Sequence, residues 1–313
     1  MEKKAHFGWS LNSSFSARCS LPYSLDSLSV HPGFAYWDSR RRLEVSVWST
    51  AICETNGIHI HYTRTGGGAY PIILLHGLIA NGICWTALAR VLEGEYDVIM
   101  PDARGHGKSS VPEYGYRYED HANDIAGLVQ ALGLSSPLLI GHSMGGMTAT
   151  VVAARNPKLL RGLLLADPSF LSLKVQREVR DSDVADQHRR FLNRSLNEIM
   201  ADARARHPER SAELIELIAQ ARLQTSMSAF DVLTPPNPDY RQLVSSIDVP
   251  TLLVISENGV VSPTVAAELQ SINPKFQVEK IPKAGHGLHY DQPERFAVVV
   301  KSFLHSIDTV SES

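Results

Sequence analysis

Short strand-like runs of four or five residues alternate with stretches of helical spacing along most of this chain, and that alternation constrains its fold more than any other feature. Pro71–Leu75, Tyr96–Met100, Pro137–Ile140, Gly162–Leu165, Thr251–Ile255 and Gln277–Ile281 read as strands. A continuous apolar run such as Pro71–Leu75 suits a strand buried on both faces. Between the runs, Trp85, Leu88, Ala89 and Leu92 share a helical face, as do Ala122, Ile125, Val129 and Leu132. Met147–Arg155, Thr264–Ile272 and a final stripe of Phe296, Val299, Val300, Phe303, Leu304 and Ile307 continue the pattern. Strands alternating with helices predict the α/β class, with a mostly parallel sheet covered by helices on both faces. Ahead of them, Val45–Ile52 and Ile58–Thr63 read as a hairpin around Asn56-Gly57.

Two stretches depart from the alternation. Residues 1–46 are Ser-rich, carry the run Arg40-Arg41-Arg42 and lack sustained periodicity, so a poorly ordered N-terminal extension is expected there. Residues 171–246 hold amphipathic helices, among them Leu192, Leu196, Ile199 and Met200, then Leu214, Leu217, Ile218 and Ala221. That block reads as an insertion between two parts of an α/β core, 47–170 and 247–313.

Composition narrows the function classes. Thirty Lys+Arg against 33 Asp+Glu give a net charge of −3, so no basic field exists to hold nucleic acid. Apolar runs stay far below the ~20 residues of a membrane-spanning helix. Cys19, Cys53 and Cys84 form no C-x-x-C pair, which points to a reducing compartment, the cytoplasm, rather than a disulfide or thiolate-metal framework.

The sharpest chemical signal is Gly141-His142-Ser143-Met144-Gly145-Gly146, which follows the strand Leu138–Ile140 and opens a helix. A serine on so tight a turn is pushed out above the sheet edge, and the glycines let neighbouring backbone come close. Its hydroxyl is a weak nucleophile and needs a base. His286, in Lys283-Ala284-Gly285-His286-Gly287 after the last strand, is the candidate. An oxyanion formed on attack needs donors already in place. The N–H of Met144, just after the serine, and that of Leu78, in the loop His76-Gly77-Leu78-Ile79, are expected to supply them.

Four segments, in this order and spacing, resemble the α/β-hydrolase fold superfamily. They are Leu75-His76-Gly77-Leu78 with Trp85, Asp102-Ala103-Arg104-Gly105-His106-Gly107-Lys108-Ser109, Gly141–Gly146 and Ala284-Gly285-His286. The resemblance spans about residues 50–308. It implies an eight-stranded sheet, a helical cap made by the 171–246 insertion over Ser143, and a structural rather than catalytic role for Asp102–Ser109.

The third member of the triad departs from the pattern. Where the superfamily often carries an Asp, in G-x-x-D, this chain has Ser256-Glu257-Asn258-Gly259, and Gly259 cannot titrate. Glu257, in the same loop, is the expected acid, and Asp167, at the end of the strand Gly162–Leu165, is the alternative.

The resulting expectation is a serine hydrolase, free of cofactor and metal, that cleaves a carboxylic ester, a lactone or a C–C bond beside a ketone in a small, partly apolar molecule. A low-turnover ligand receptor, or a cofactor-free perhydrolase or lyase, is the alternative on the same scaffold. His59-x-His61 could pair on a metal, but polar-out alternation along a strand accounts for it, and His286-x-x-His289 needs no metal once His286 is a base.

Overall fold

The computed structural model describes residues 48–68 and 70–311. The expected extension 1–46, the start of the first strand and Cys19 lie outside them. The elements are β1 (Ser49–Thr55), β2 (Ile58–Arg64), β3 (Tyr70–Leu75), α1 (Thr86–Leu92), β4 (Tyr96–Pro101), α2 (Tyr118–Ala131), β5 (Leu138–His142), α3 (Met144–Arg155) and β6 (Gly162–Ala166). Then come α4 (Leu173–Asp181), α5 (Val184–Leu192), α6 (Leu196–Arg206), α7 (Ala212–Leu223), α8 (Tyr240–Ser245), β7 (Thr251–Asn258), α9 (Pro263–Ile272), β8 (Phe276–Gly285), α10 (Leu288–Asp291) and α11 (Pro293–Ser311).

Among the described residues eight strands form one sheet in the order β1-β2-β4-β3-β5-β6-β7-β8. β1 and β2 pair antiparallel across a turn in which Asn56 (φ 50°) and Gly57 (φ 74°) both adopt the left-handed region, as a two-residue hairpin requires. β2 also runs antiparallel to β4, and the pairings from β4 through β8 are parallel.

Side chains of the central strands divide between two cores. Ile73, Leu75, Leu139 and Leu165 face α2, α3, α8 and α9. Ile72, Leu74, Leu138, Ile140 and Leu164 face α1 and α11, whose Phe296, Val300, Phe303, Leu304 and Ile307 are all buried as their stripe predicts. At 25 cal/mol per Å² of apolar surface, each such side chain contributes about 1.5–3 kcal/mol. The six parallel strands β3 to β8 deliver their C-terminal ends to the same edge, where loops can converge on a site.

Helices α4 to α7, all lying between β6 and β7, bury little of their own surface. Their starts are fixed locally: Ser195 and Glu198 form a reciprocal cap on α6, and Ser172 and Ser211 accept from the first turns of α4 and α7. They are tied to the sheet domain by polar contacts. Asn81 donates to Gln224 at 3.0 Å, Arg90 pairs with Glu213 at 2.8 Å, and the Ser226 N–H donates to the Gly105 carbonyl at 2.8 Å.

Asp102 ties the loop after β4 to its neighbours. Its carboxylate accepts from the Gly82 and Lys108 N–H groups at 2.8 and 2.9 Å and meets Nδ1 of His61 at 2.9 Å. His61 therefore departs from the polar-out alternation expected of it: the ring is buried because the carboxylate offers it a partner inside. Among the described residues no group of three metal-binding side chains occurs.

Candidate active site

Ser143 joins β5 to α3 with φ 53° and ψ −116°, a conformation costly for any residue with a Cβ. The turn survives because its neighbours are small. A Cβ at Gly141 would run into the carbonyl oxygen of Gly145, and one at Gly145 into that of Leu75. The backbone thus stores strain to hold the hydroxyl above the sheet edge.

His286 sits between β8 and α10, and its Nε2 lies 2.8 Å from Oγ of Ser143. Its Nδ1 lies 2.6 Å from Oδ2 of Asp167. A carboxylate can only accept, so Nδ1 carries the ring proton, and Nε2 is left to accept the serine hydroxyl. Asp167 is fully buried, and its two oxygens also accept from the N–H groups of Val260 and Val261 at 2.9 Å each. Those bonds hold the carboxylate in place.

The expectation that Glu257 meets His286 is corrected. Glu257 is exposed, and its carboxylate accepts from the Lys283 N–H at 3.1 Å. Asp167, at φ 44° just past β6, meets the imidazole instead. A Cβ built on Gly259 would lie 2.5 Å from Oδ2 of Asp167, so the empty side-chain position after β7 is filled by a carboxylate from the adjacent strand.

His286 is braced from behind. Nε2 of His142 donates to the His286 carbonyl at 2.9 Å, and burial drives the His142 ring down to about 3, so it stays neutral. One residue before His286, the Gly285 N–H donates to Asp291, and Arg210, from the loop between α6 and α7, pairs with the same carboxylate at 2.7 Å. Neither His142 nor Arg210 stood out in the sequence, because each acts through a main-chain neighbour of the histidine rather than through a motif.

Leu78 and Met144, the expected oxyanion donors, both adjoin the serine turn: Met144 follows Ser143, and a Cβ on Gly77, just before Leu78, would lie 3.2 Å from Cβ of Ser143. Met144 opens α3, so its N–H has no partner one turn back. Leu78 follows a peptide whose carbonyl is fixed: the Gly77 oxygen takes Nδ1–H of His76 at 2.8 Å and the Ala80 N–H at 3.2 Å. In a trans peptide the N–H points opposite to the C=O, so the Leu78 N–H is turned away from those bonds. His76 in turn accepts the Ala103 N–H on Nε2, and burial lowers its basicity, which keeps that nitrogen free of a proton.

The protein-family model for the alpha/beta hydrolase fold matches residues 70–293. N-formylmaleamate deformylase of Pseudomonas putida is 30% identical over 253 residues, 80% of this chain and 94% of that protein. The crystal structure of E-2-(acetamidomethylene)succinate hydrolase superposes with a TM-score of 0.71 at 23% identity, covering 83% of this chain and all of that one. A thermophilic esterase from Thermogutta terrifontis superposes with a TM-score of 0.66 at 28% identity, covering 80% and 94%. The chain belongs to the alpha/beta hydrolase fold family and is a hydrolase.

Proposed function

We propose that the protein cleaves an ester-like bond of a small, partly apolar molecule through an acyl-enzyme on Ser143. The observation that carries this reading is the unbroken chain Ser143–His286–Asp167, at 2.8 and 2.6 Å. His286 takes the serine proton as Oγ attacks the carbonyl carbon. Asp167 holds the ring in the required tautomer and stabilises the imidazolium that forms. The carbonyl electrons move onto oxygen, which the N–H groups of Leu78 and Met144 stabilise, each worth about 3 kcal/mol of barrier. His286 then protonates the leaving group, activates a water, and returns its proton to Ser143 as the acid departs.

Residues 171–246 serve as the cap that closes over this site, with residues 47–170 and 247–313 as the core. Carboxylic esters and lactones are the leading substrates. Two relatives carry names of amide-type substrates, the deformylase and a 2-(acetamidomethylene)succinate hydrolase of Mesorhizobium japonicum, so N-formyl and N-acetyl compounds belong in the same screen. A carboxylate already on His286 removes the reason for preferring a receptor or a non-hydrolytic enzyme. The reading includes a cytoplasmic setting, in keeping with Cys53 and Cys84, both buried and neither joined in a disulfide.

A fluorophosphonate probe tests the reading. Labelling at Ser143 that disappears in Ser143→Ala, together with turnover of short p-nitrophenyl esters, is expected. Tight binding of one ligand with neither labelling nor turnover would overturn it in favour of a receptor.

A further inference from the structure

Ser169 stands two residues beyond Asp167 on the loop that leaves β6, and its Oγ lies 3.3 Å from Oγ of Ser143. It is pinned from two sides. Its N–H donates to the Ser143 carbonyl at 3.1 Å, and its side chain meets the phenol of Tyr118. Tyr118 is buried at the start of α2, and burial pushes its ionisation up to about 12, so it remains a neutral, fixed partner. Pro168, between the two polar residues, packs against Gly146, where a Cβ would approach the proline ring to 2.8 Å. One rigid three-residue loop thus places Asp167 on the base and Ser169 on the nucleophile.

The direction of the contact between the two serines follows from the triad. When the Ser143 proton is committed to Nε2 of His286, Ser143 has only lone pairs left to offer. The hydrogen in the Oγ–Oγ contact therefore belongs to Ser169.

We propose that the Ser169 hydroxyl is a further catalytic group, donating to Oγ of Ser143 while that oxygen leaves the acyl-enzyme. The proposal rests on the serine-hydrolase reading above and deepens it. In the acyl-enzyme Oγ is an ester oxygen, its lone pair is delocalised into the carbonyl, and it accepts hydrogen bonds weakly. Water attack forms a bond from the water oxygen to the acyl carbon, sends the water proton to Nε2 of His286, and moves the carbonyl pair onto the oxyanion. Resonance is lost, and Oγ becomes a strong acceptor. On collapse the C–Oγ bond breaks, its electron pair stays on Oγ, and the proton on Nε2 passes to that oxygen. Ser169 keeps its own proton throughout. Its bond is stronger in this transition state than in the acyl-enzyme before it, which is the condition for acceleration. In acylation Oγ accepts well from the outset, so the same bond is nearly uniform and changes that step little.

The test is stopped-flow hydrolysis of p-nitrophenyl acetate. Ser169→Ala is expected to lower kcat about tenfold, the size of one hydrogen bond to a developing charge, with kcat/KM within about twofold. Its pre-steady-state burst grows as acyl-enzyme accumulates, and Ser169→Thr, which keeps the hydroxyl, restores kcat. A parallel fall of kcat and kcat/KM marks a structural role and overturns the proposal, as do an unchanged kcat or a wild-type acyl-enzyme that never turns over. Should Ser169→Ala fail to fold, Tyr118→Phe, which leaves Ser169 present but unanchored, gives the same split at smaller size, and no split overturns the proposal. Fluorophosphonate labelling separates the two readings: wild type and Ser169→Ala label Ser143 at equal rates, whereas a wild type that does not label sinks the hydrolase reading and this one with it.

Discussion

Gly259 and Asp167 occupy one position between them: a Cβ on the glycine would sit 2.5 Å from Oδ2 of the aspartate, about the reach of an aspartate side chain from its own Cβ to its oxygens. The carboxylate under His286 can thus arrive from either of two adjacent strand ends. Asp167→Asn is expected to lower kcat by about 10⁴ by supporting the wrong tautomer, while Glu257→Gln stays within about twofold. Pairing Asp167→Gly with Gly259→Asp returns a carboxylate to the same place and recovers part of the loss. Steady-state kinetics of the three variants decide the matter, and a large effect at Glu257 would refute the assignment.

The buried imidazoles make stability depend on pH. Burial lowers the basicity of His76, His106, His121, His142 and His289, with His106 and His142 driven down to about 3. In the unfolded chain each takes up its proton near 6.5. Between the two values the unfolded chain binds more protons, so stability is complete above about pH 6.5 and falls as the pH drops. Each imidazole contributes a slope of about 1.4 kcal/mol per pH unit within its own window. Urea unfolding between pH 7 and 4.5 should show this decline, and His142→Asn should shed one imidazole's share of it. A flat profile would mean these rings find protons in the folded state.

In the proposed mechanism His76 orients the Leu78 N–H from behind, through its hydrogen bond to the Gly77 carbonyl. His76→Phe removes one of the two donors to the Gly77 carbonyl and leaves the Ala103 N–H without its acceptor. The expected result is a fall in kcat of about 10–100-fold with little change in KM, beside a stability cost of about 1–3 kcal/mol. Rates at saturating ester, corrected for the folded fraction from denaturant curves, make the measurement. A rise in KM alone would remove His76 from the transition state.

Much of this arrangement is legible in the residues. The apolar runs yield strands and the Gly-x-Ser-x-Gly turn yields the elbow, because period and turn chemistry are local properties. Ser143 and His286 meet because strand-end loops converge on one edge of a parallel sheet, a consequence of topology that the alternation already implies. The acid escapes such reasoning. Glu257, near the end of β7, is the nearest carboxylate in sequence to the expected position, yet it is exposed and accepts from the Lys283 N–H instead. Asp167 wins through a left-handed φ and two N–H groups from the neighbouring strand's loop, neither visible in sequence. Ser169 and Tyr118 are hidden for the same reason: they are 51 positions apart along the chain and meet only after folding.

The link from Arg210 through Asp291 to the Gly285 N–H carries a mechanical consequence. The arginine lies in the loop between α6 and α7, and the amide belongs to the residue just before His286. A shift of that loop is transmitted through Asp291 to the backbone that carries the ring. Two segments 76 positions apart in the chain, the α6–α7 loop and the backbone of His286, are thus yoked through one carboxylate.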